Sequence, residues 1–204
     1  MSERQRLMVR YLQRLDDLAP SGYTAGVHIR FASPLYLKST YPQAWQDLYA
    51  SNAYSLRDPL VFWGISKSGR IRWSEINLPD PFGVMRQAAE HGLTHGAVVS
   101  CGKITSRTIV GVARSDREFT DAEIARVEEA TQGLHDVAEP PEELTPAMIE
   151  ALRLVGDGYR HKAAAAELGI SESALKARLS SARVRLGART TAEALRMARE
   201  YRLL

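Results

Sequence analysis

The sequence predicts an α+β domain followed by an all-α domain, and three observations support this division. Helical and alternating hydrophobic patterns succeed one another over residues 1–138, whereas the patterns after residue 143 are almost purely helical. Pro140 and Pro141 stand between the two regions, and two consecutive prolines cannot continue a helix. A chain of 204 residues that is 45% apolar is long enough for two hydrophobic cores.

The first region predicts an antiparallel sheet with helices on both faces, an α-β-α sandwich. Apolar residues at helical spacing predict a helix over residues 7–18, which ends at Pro20 and Gly22. Strands are predicted at residues 23–31, 35–38, 97–104 and 108–113, and helices at residues 42–51 and 82–90. A last helix follows the capping box of Thr120 and Glu123. This mixture of antiparallel strands and helices favours a sheet covered by helices.

The second region predicts four helices. Their starting signals are, in chain order, Thr145-Pro146, His161, the capping residue Ser171 and the capping box of Thr190 and Glu193. Glycines at positions 158, 169 and 187 follow the first three helices and allow sharp turns. We therefore divide the chain into residues 1–138, a linker at residues 139–143, and residues 144–204.

The net charge of +3 is unevenly divided between the two regions. Residues 144–204 carry 11 Lys and Arg against 6 Asp and Glu, whereas residues 1–143 carry 16 against 18. Such an asymmetry is typical of a chain whose basic part binds nucleic acid, although solvated helices can also carry extra arginines. The charge therefore points to the second region as the candidate nucleic-acid-binding part.

Other classes of protein are excluded by features that the sequence lacks. The single cysteine, Cys101, excludes a disulfide framework and a cysteine-based zinc site. The five histidines have no metal-binding spacing and no nucleophile motif is present, so we expect neither a metal ion nor an enzyme. The longest apolar run, residues 60–65, is too short to cross a bilayer, and the first residues show no secretory signal. We expect a cytoplasmic protein that does not enter membranes.

The third helix of the second region has one apolar face and one basic face. Four apolar residues form the core stripe: Leu175, Leu179, Ala182 and Leu186. The opposite face carries Ser173, Lys176, Ala177, Ser180 and Arg183, and Arg178 and Arg185 flank it. A solvated helix of a bundle would usually mix Glu with Lys, but Glu172 is the only acid between positions 172 and 186. A helix, a glycine-containing turn and a cationic helix indicate a helix-turn-helix arrangement that binds DNA.

The second region as a whole resembles the four-helix helix-turn-helix domain of LuxR-type transcription factors. The resemblance is carried by Leu144-Thr145-Pro146, Ala166-Glu167-Leu168-Gly169-Ile170-Ser171, Leu175-Lys176 and Arg185-Leu186-Gly187. It implies a homodimer that binds an inverted-repeat operator in double-stranded DNA. We expect contacts at or near base edges from Lys176, Ser180 and Arg183. We expect phosphate contacts from Ser171, Arg178, Arg185, His161 and Lys162.

Polar aromatic residues and one acid form a distinctive group in the first region. Tyr41, Trp45 and Tyr49 share one face of a predicted helix, and Asp58 and Trp73 follow. An aromatic stripe on a helix is most often part of a core. A buried Asp, however, needs a hydrogen-bond donor to replace lost water, and a ligand amide N–H would serve. The group therefore predicts a ligand pocket.

This group resembles the acyl-homoserine-lactone-binding domain of LuxR-type quorum-sensing receptors. The resemblance implies that Trp45 donates to the lactone carbonyl and Tyr41 to the acyl carbonyl. It also implies that Asp58 accepts from the ligand amide, while Tyr49 and Trp73 form walls of the pocket. The expected small molecule is thus an effector, an N-acyl-homoserine lactone, and no cofactor is expected.

Two departures from the family pattern concern the acyl chain. Receptors for 3-oxo ligands often have Thr or Ser on the last strands, where this chain has Val112, which predicts an unsubstituted acyl chain. The segment between Trp73 and Gly96 is several residues shorter than is usual. Three alternatives stay open: a ligand-blind relative whose pocket is closed by its own aromatic side chains, a sensor of another amphipathic molecule, and a lactone-degrading enzyme.

Overall fold

A computed structural model of the chain describes residues 3–29, 33–138, 144–201 and 203–204. The chain forms two compact units, Met1–Glu139 and Pro140–Leu204. The linker that we predicted at residues 139–143 lies outside the described residues. Each unit has hydrophobic clusters of its own, and the two are described separately below.

The first unit is an α+β fold built on a five-stranded antiparallel sheet. Its elements are α1 (Glu3–Leu18), β1 (Tyr23–Ile29), β2 (Tyr36–Ser39), α2 (Gln43–Ser51), α3 (Pro59–Ser66), β3 (Gly69–Arg72), α4 (Val84–Glu90), β4 (His95–Cys101), β5 (Arg107–Arg114) and α5 (Asp121–Ala138). Single turns of 3-10 helix occur at Tyr54–Leu56, Trp73–Glu75 and Ile104–Ser106. The strand order is β2-β1-β5-β4-β3, and all neighbours are antiparallel. The α+β prediction is confirmed.

One face of the sheet packs against α1 and α5. Alternate side chains of β1 and β5, among them Val27, Val110 and Val112, are fully buried on this face. Leu15 of α1 and Leu134 of α5 are buried against them and are fully inaccessible to solvent. Because side chains alternate between the two faces of a strand, the residues between these positions point to the opposite face.

The opposite face of the sheet is covered by the shorter helices, so helices lie on both faces as predicted. Trp63 of α3 packs against Val98 and Ile109 of the sheet. The hydroxyl of Ser100 on β4 donates a hydrogen bond to the carbonyl oxygen of Gly64 on α3. These contacts hold α3 beside the sheet and leave space between the sheet and the helices.

Two elements of the first unit were not predicted. Helix α3 contains Leu60, Val61, Phe62, Trp63 and Ile65, and it is apolar on nearly all sides because it contacts both the sheet and a cavity. It therefore lacks the polar face that identifies an amphipathic helix. Strand β3 has only four residues, which is too short for a convincing alternating pattern.

The second unit consists, within its described residues, of α6 (Pro146–Gly156), α7 (His161–Glu167), α8 (Glu172–Leu186) and α9 (Thr191–Glu200). Three helices begin at side-chain caps, in which Thr145, Ser171 and Thr190 each accept a hydrogen bond from a backbone N–H three residues later. Helix α8 ends at Gly187, whose φ of +65° is a left-handed conformation that glycine adopts without strain. The prediction of four helices is confirmed.

None of the helices that the structure describes combines the length and the apolar character needed to cross a bilayer.

Candidate functional sites

A cavity of about 580 Å³ lies between the sheet and helices α2, α3 and α4 of the first unit. Its lining is mostly apolar, and all five predicted ligand-binding residues contribute to it: Tyr41, Trp45, Tyr49, Asp58 and Trp73. The five residues that we predicted from the sequence therefore line a single cavity. The aromatic side chains of the wall leave this space unfilled, which does not favour the ligand-blind alternative.

Among the described residues that line the cavity, Asp58 is the one carboxylate, and it is only 6% exposed. It caps α3, where the N–H of Leu60 donates to Oδ1 over 2.7 Å and the hydroxyl of Tyr49 donates to Oδ2 over 2.8 Å. Burial raises the pKa of Asp58 to about 6, although both hydrogen bonds act in the opposite direction. A carboxylate offers about four acceptor positions, so Asp58 can accept a further hydrogen bond from a ligand.

Trp45 stands at the centre of an aromatic group. Its ring centroid lies 5.5 Å from that of Tyr49, 6.2 Å from that of Tyr54 and 5.5 Å from that of His91. Tyr54 is held in turn by a 3.0 Å hydrogen bond that its hydroxyl donates to Gln87. Within the described residues, the indole N–H of Trp45 has no acceptor. A rigidly packed donor beside an apolar cavity is suited to binding a ligand carbonyl.

Tyr41 and Trp73 are also fixed by their surroundings. The hydroxyl of Tyr41 donates to the carbonyl oxygen of Gly111 over 2.9 Å, and burial raises the pKa of this phenol above its ordinary value. The Trp73 indole N–H is buried and has no partner among the described residues. A Cβ atom at Gly96 would lie 2.2 Å from Cε2 of Trp73, so the strand can pass the indole only with glycine at this position.

The expectation for Val112 is wrong. Val112 is fully buried on the face of the sheet that packs against α1 and α5, away from the cavity. Gly111, its neighbour, faces the cavity. Because a shift of one residue reverses the side to which a strand residue points, the alignment by resemblance selected the wrong face. The prediction of an unsubstituted acyl chain loses its basis.

Several cavity residues were missed because they lie on elements far apart in the sequence. Thr24 of β1 and Ser39 of β2 contribute hydroxyl groups, while Leu37, Phe62 and Ile65 contribute apolar, partly solvent-exposed surface. The alternation of β1 could have placed Thr24 opposite its buried neighbours. Only the three-dimensional strand pairing, however, shows that this face encloses a cavity.

The structure adds two observations about the histidines and the cysteine. The described ranges contain no group of three or more His, Cys, Asp or Glu side chains that could hold a metal ion. Burial raises the pKa of the Cys101 thiol to about 12, so this cysteine is protonated at neutral pH.

In the second unit, α8 presents the two faces that the periodicity predicted. Leu175, Leu179, Ala182 and Leu186 are all buried. Lys176 is exposed, and its ammonium group lies 2.8 Å from a carboxylate oxygen of Glu172. Such an exposed pair is weak, so the lysine remains available to another partner.

The remaining predicted DNA-binding residues surround this face of α8 or lie at the start of α7. Arg183 donates over 3.4 Å both to the hydroxyl of Ser180 and to the carbonyl oxygen of Arg189. The Ser171 hydroxyl is engaged as the α8 cap, accepting from Ala174 N–H over 3.1 Å. Half-buried positions are held by Arg178 and Arg185, and exposed positions by His161 and Lys162. The predicted residues therefore share one helix and an adjacent helix start.

Sequence reasoning missed Ser181 and Val184 on the exposed face of α8. Val184 is 77% exposed, which is unusual for a large apolar residue. Helical spacing places it at the centre of the face opposite Leu175 and Leu186. The centre of this face is therefore uncharged, and the cations lie along its two sides.

Comparisons with known proteins agree with this geometry. The family described as "Autoinducer binding domain" matches residues 23–138. The HTH-type quorum-sensing regulator RhlR of Pseudomonas aeruginosa is 27% identical over 168 residues, which is 74% of this chain and 70% of RhlR. A crystal structure of SdiA from Escherichia coli is 19% identical, covers 100% of this chain and 92% of that chain, and has a TM-score of 0.51.

A second structure, SdiA in complex with octanoyl-rac-glycerol, is 17% identical, covers 98% of this chain and 89% of that chain, and has a TM-score of 0.53. At these identities the solved structures support the fold alone. The family match covers more than half of the chain, from β1 to the end of α5. The chain therefore belongs to the LuxR-type quorum-sensing regulators that contain an autoinducer-binding domain, a family of regulators and not of enzymes.

Proposed function

We propose that this chain is a cytoplasmic transcriptional regulator that binds an N-acyl-homoserine lactone in its cavity and an inverted-repeat DNA operator as a homodimer. The observation that carries the ligand proposal is Asp58, a buried carboxylate in the wall of a mostly apolar cavity. A protein rarely buries such a group without a purpose, because its desolvation costs stability. The ligand must therefore combine a hydrogen-bond donor with a large apolar part.

An acyl-homoserine lactone has the groups that this cavity can satisfy. Its amide N–H would donate to Asp58, and its lactone carbonyl would accept from the indole N–H of Trp45. Its acyl carbonyl would accept from Tyr41, whose hydroxyl would leave the carbonyl of Gly111 to do so. Tyr49 and Trp73 would pack against the ligand as walls. The proposal requires neither a cofactor nor a metal ion.

The apolar part of the cavity suits an acyl chain. Leu37, Phe62 and Ile65 line the cavity and are 66%, 58% and 37% exposed. Each methylene group that leaves water contributes about 0.8 kcal/mol. A chain that covers these side chains would gain affinity with each added carbon until its end reaches solvent.

The surface of α8 suits the major groove of DNA. The centre of its exposed face is uncharged and includes the small residues Ser173 and Ala177, which permit close approach to the bases, and the cations on both sides can reach phosphates. Lys176, Ser180 and Arg183 are proposed at or near base edges. Ser171, Arg178, Arg185, His161 and Lys162 are proposed at phosphates. Two-fold symmetry of a homodimer predicts half-sites about 34 Å apart, and we propose that α1 and α9 contribute to the dimer interface.

Thermal melting of the full chain with a panel of ligands tests the ligand proposal. Acyl-homoserine lactones of several chain lengths are expected to raise the melting temperature, because a ligand that binds only the folded state stabilises it. A panel member without the lactone amide, octanoyl-glycerol, tests the alternative of another amphipathic effector. No shift with any homoserine lactone, in a well-folded sample, would overturn the proposal.

Selection of operators from random DNA tests the second part of the proposal. The expected result is a sequence with inverted symmetry, bound by two chains. Selected DNA without symmetry, or binding by one chain, would contradict the homodimer.

A further inference from the structure

Arg107, the first residue of β5, is a buried arginine whose hydrogen bonds within the described residues go to neutral groups alone. Its guanidinium group donates to the carbonyl oxygen of Ile65 over 3.3 Å, and also to the hydroxyl of Ser68 and the carbonyl oxygen of Gly102. The Nε–H has no acceptor in the same part of the chain. Burial of such a charge is costly unless another source of negative potential compensates for it.

The C-terminal end of α3 supplies this negative potential. The last carbonyl oxygens of a helix lack N–H partners within the helix and carry its negative partial charge. In α3, Ser100 of β4 donates to the carbonyl oxygen of Gly64, and Arg107 of β5 donates to that of Ile65. Two neighbouring strands therefore hold the last turn of α3 through side-chain hydrogen bonds, and the bond from Arg107 carries a charge.

The opposite end of α3 carries Asp58. Its carboxylate caps the N-terminus, so the helix has an acid at its positive end and Arg107 at its negative end. Because α3 has eight residues, these ends are about 12 Å apart. Arg107 is not among the described residues that line the cavity, whereas four residues of α3 are: Leu60, Val61, Phe62 and Ile65.

Helix α3 is packed closely against β5. A Cβ atom at Gly64 would lie 2.8 Å from Cδ1 of Ile109, so the helix backbone almost touches this side chain. Densely packed elements move as units and do not deform locally. A shift of the turn that Arg107 holds therefore also shifts Asp58 and the side of the cavity that α3 forms.

We infer that Arg107 is a positioning residue for ligand binding, because it holds the last turn of α3 on the sheet and thereby places the Asp58 carboxylate and the apolar α3 wall. This inference rests on the proposed function. A site that must first become ordered binds its ligand more weakly than one that is already in place. Loss of Arg107 would leave the carbonyl oxygens of Ile65 and Gly102 without this donor and would allow α3 to occupy several positions.

Calorimetric titration of the full chain with octanoyl-homoserine lactone tests this role. Arg107→Met keeps the length of the side chain without its donors, and it should weaken binding by the folded sample about tenfold. Arg107→Lys keeps the charge without the planar group that bridges several oxygens, and it should weaken binding about fourfold. Arg114→Met is the matched control, because Arg114 is also buried on β5 but pairs with Asp116 and Glu123. It should lose folding stability and keep its ligand affinity.

A double-mutant cycle with Asp58→Asn distinguishes positioning from a general loss of stability. Substitutions this far apart have independent effects unless a shared element connects them. If Arg107 acts through α3, Arg107→Met should weaken binding only about threefold in a chain that already carries Asp58→Asn, because misplacement of the carboxylate no longer matters.

The possible outcomes separate the inference from the proposed function. Binding by Arg107→Met within about twofold of the unaltered chain would overturn the inference and leave the proposed function intact. If this variant does not fold, Arg107→Lys decides by the same limit. An equal loss of affinity in Arg114→Met, or strictly additive losses in the cycle, would also overturn the inference, because Arg107 would then only stabilise the fold. Absence of binding by the unaltered, folded chain would overturn the proposed function and the inference with it.

Discussion

The two units place their candidate functional groups in opposite environments. Every buried polar or charged side chain among the described residues lies in the first unit, including Asp58 in its cavity. The buried residues of the second unit are apolar, and its cations lie at half-buried or exposed positions such as Lys176. Burial of the Asp58 carboxylate at the cavity therefore costs the first unit some folding stability. The second unit needs only an ordinary apolar core beneath a charged surface.

This difference predicts different responses to substitution. A change in the cavity should alter ligand affinity and folding stability together, because the same buried groups serve both. A change on the surface of α8 should alter DNA binding and leave folding nearly unchanged. The four predictions below test this contrast in order of decreasing effect.

The largest effect is expected from the loss of the carboxylate. Asp58→Asn should weaken binding of octanoyl-homoserine lactone about 100-fold, because a hydrogen bond to a charged group is worth about 1.5–3 kcal/mol. Calorimetric titration measures this loss. The matched control is Asp80→Asn, because Asp80 instead caps α4 through the N–H groups of Val84 and Met85. Affinity in Asp58→Asn within threefold of the unaltered chain would remove Asp58 from the site.

The same substitution should stabilise the ligand-free first unit at neutral pH. Burial raises the pKa of Asp58 from 3.8 to about 6, so folding favours its protonated form. The stabilisation from protonation is complete below pH 3.8 and is lost as the pH rises through 6. The advantage of Asp58→Asn over the unaltered chain should therefore grow by up to about 3 kcal/mol between pH 4 and pH 7.

Urea unfolding followed by tryptophan fluorescence measures this pH dependence. All three tryptophans, Trp45, Trp63 and Trp73, belong to the first unit, so the signal reports on that unit alone. A stability difference that does not change with pH would show that Asp58 titrates normally. Burial of the Asp58 carboxylate in the cavity wall would then not reduce the folding stability of the first unit.

An intermediate effect on folding stability is expected at Gly96, where β4 passes the indole of Trp73. Gly96→Ala should destabilise the first unit by about 1–3 kcal/mol, because the added methyl group collides with Trp73. Combination with Trp73→Ala should recover part of this loss, which a double-mutant cycle in urea detects. Strictly additive losses would contradict the contact.

The smallest effect on folding is expected on α8. Lys176→Ala should cost about 1–2 kcal/mol of operator affinity and relax specificity at one base pair, while the unfolding free energy changes by less than about 0.5 kcal/mol. Lys162→Ala, proposed at a phosphate, should weaken binding to all DNA sequences alike. Unchanged operator affinity and specificity in Lys176→Ala would remove this residue from the recognition face.

The contrast also explains what the sequence could reveal. The faces of α8 were predictable because the position of each residue on a helix follows from local periodicity, as the burial of Leu175 and Leu179 confirms. Trp45 and Tyr49 were found in the same way, since they occupy one face of α2. The prediction that Tyr41 shares this helix is wrong, because α2 begins at Gln43 after its cap Pro42, although Tyr41 still lines the cavity. Local patterns therefore identified the helical residues of both candidate sites.

The rest of the cavity lining depends on which strands pair. Thr24, Ser39 and Gly111 meet only through the pairing of β2, β1 and β5, which no local pattern encodes. Val112 shows how sensitive this is, because an error of one position placed the wrong face in the cavity. Helix α3 was not predicted for a related reason. It contacts both the sheet and the cavity, so its sequence lacks the polar face that identifies an amphipathic helix.

Titration of the full chain with octanoyl-homoserine lactone, monitored by calorimetry, tests the central claim most directly. We predict saturation at one ligand per chain, a negative heat-capacity change from the burial of apolar surface, and an affinity that depends on Asp58. Absence of binding by a folded sample, or saturable binding that Asp58→Asn leaves unchanged, would contradict it.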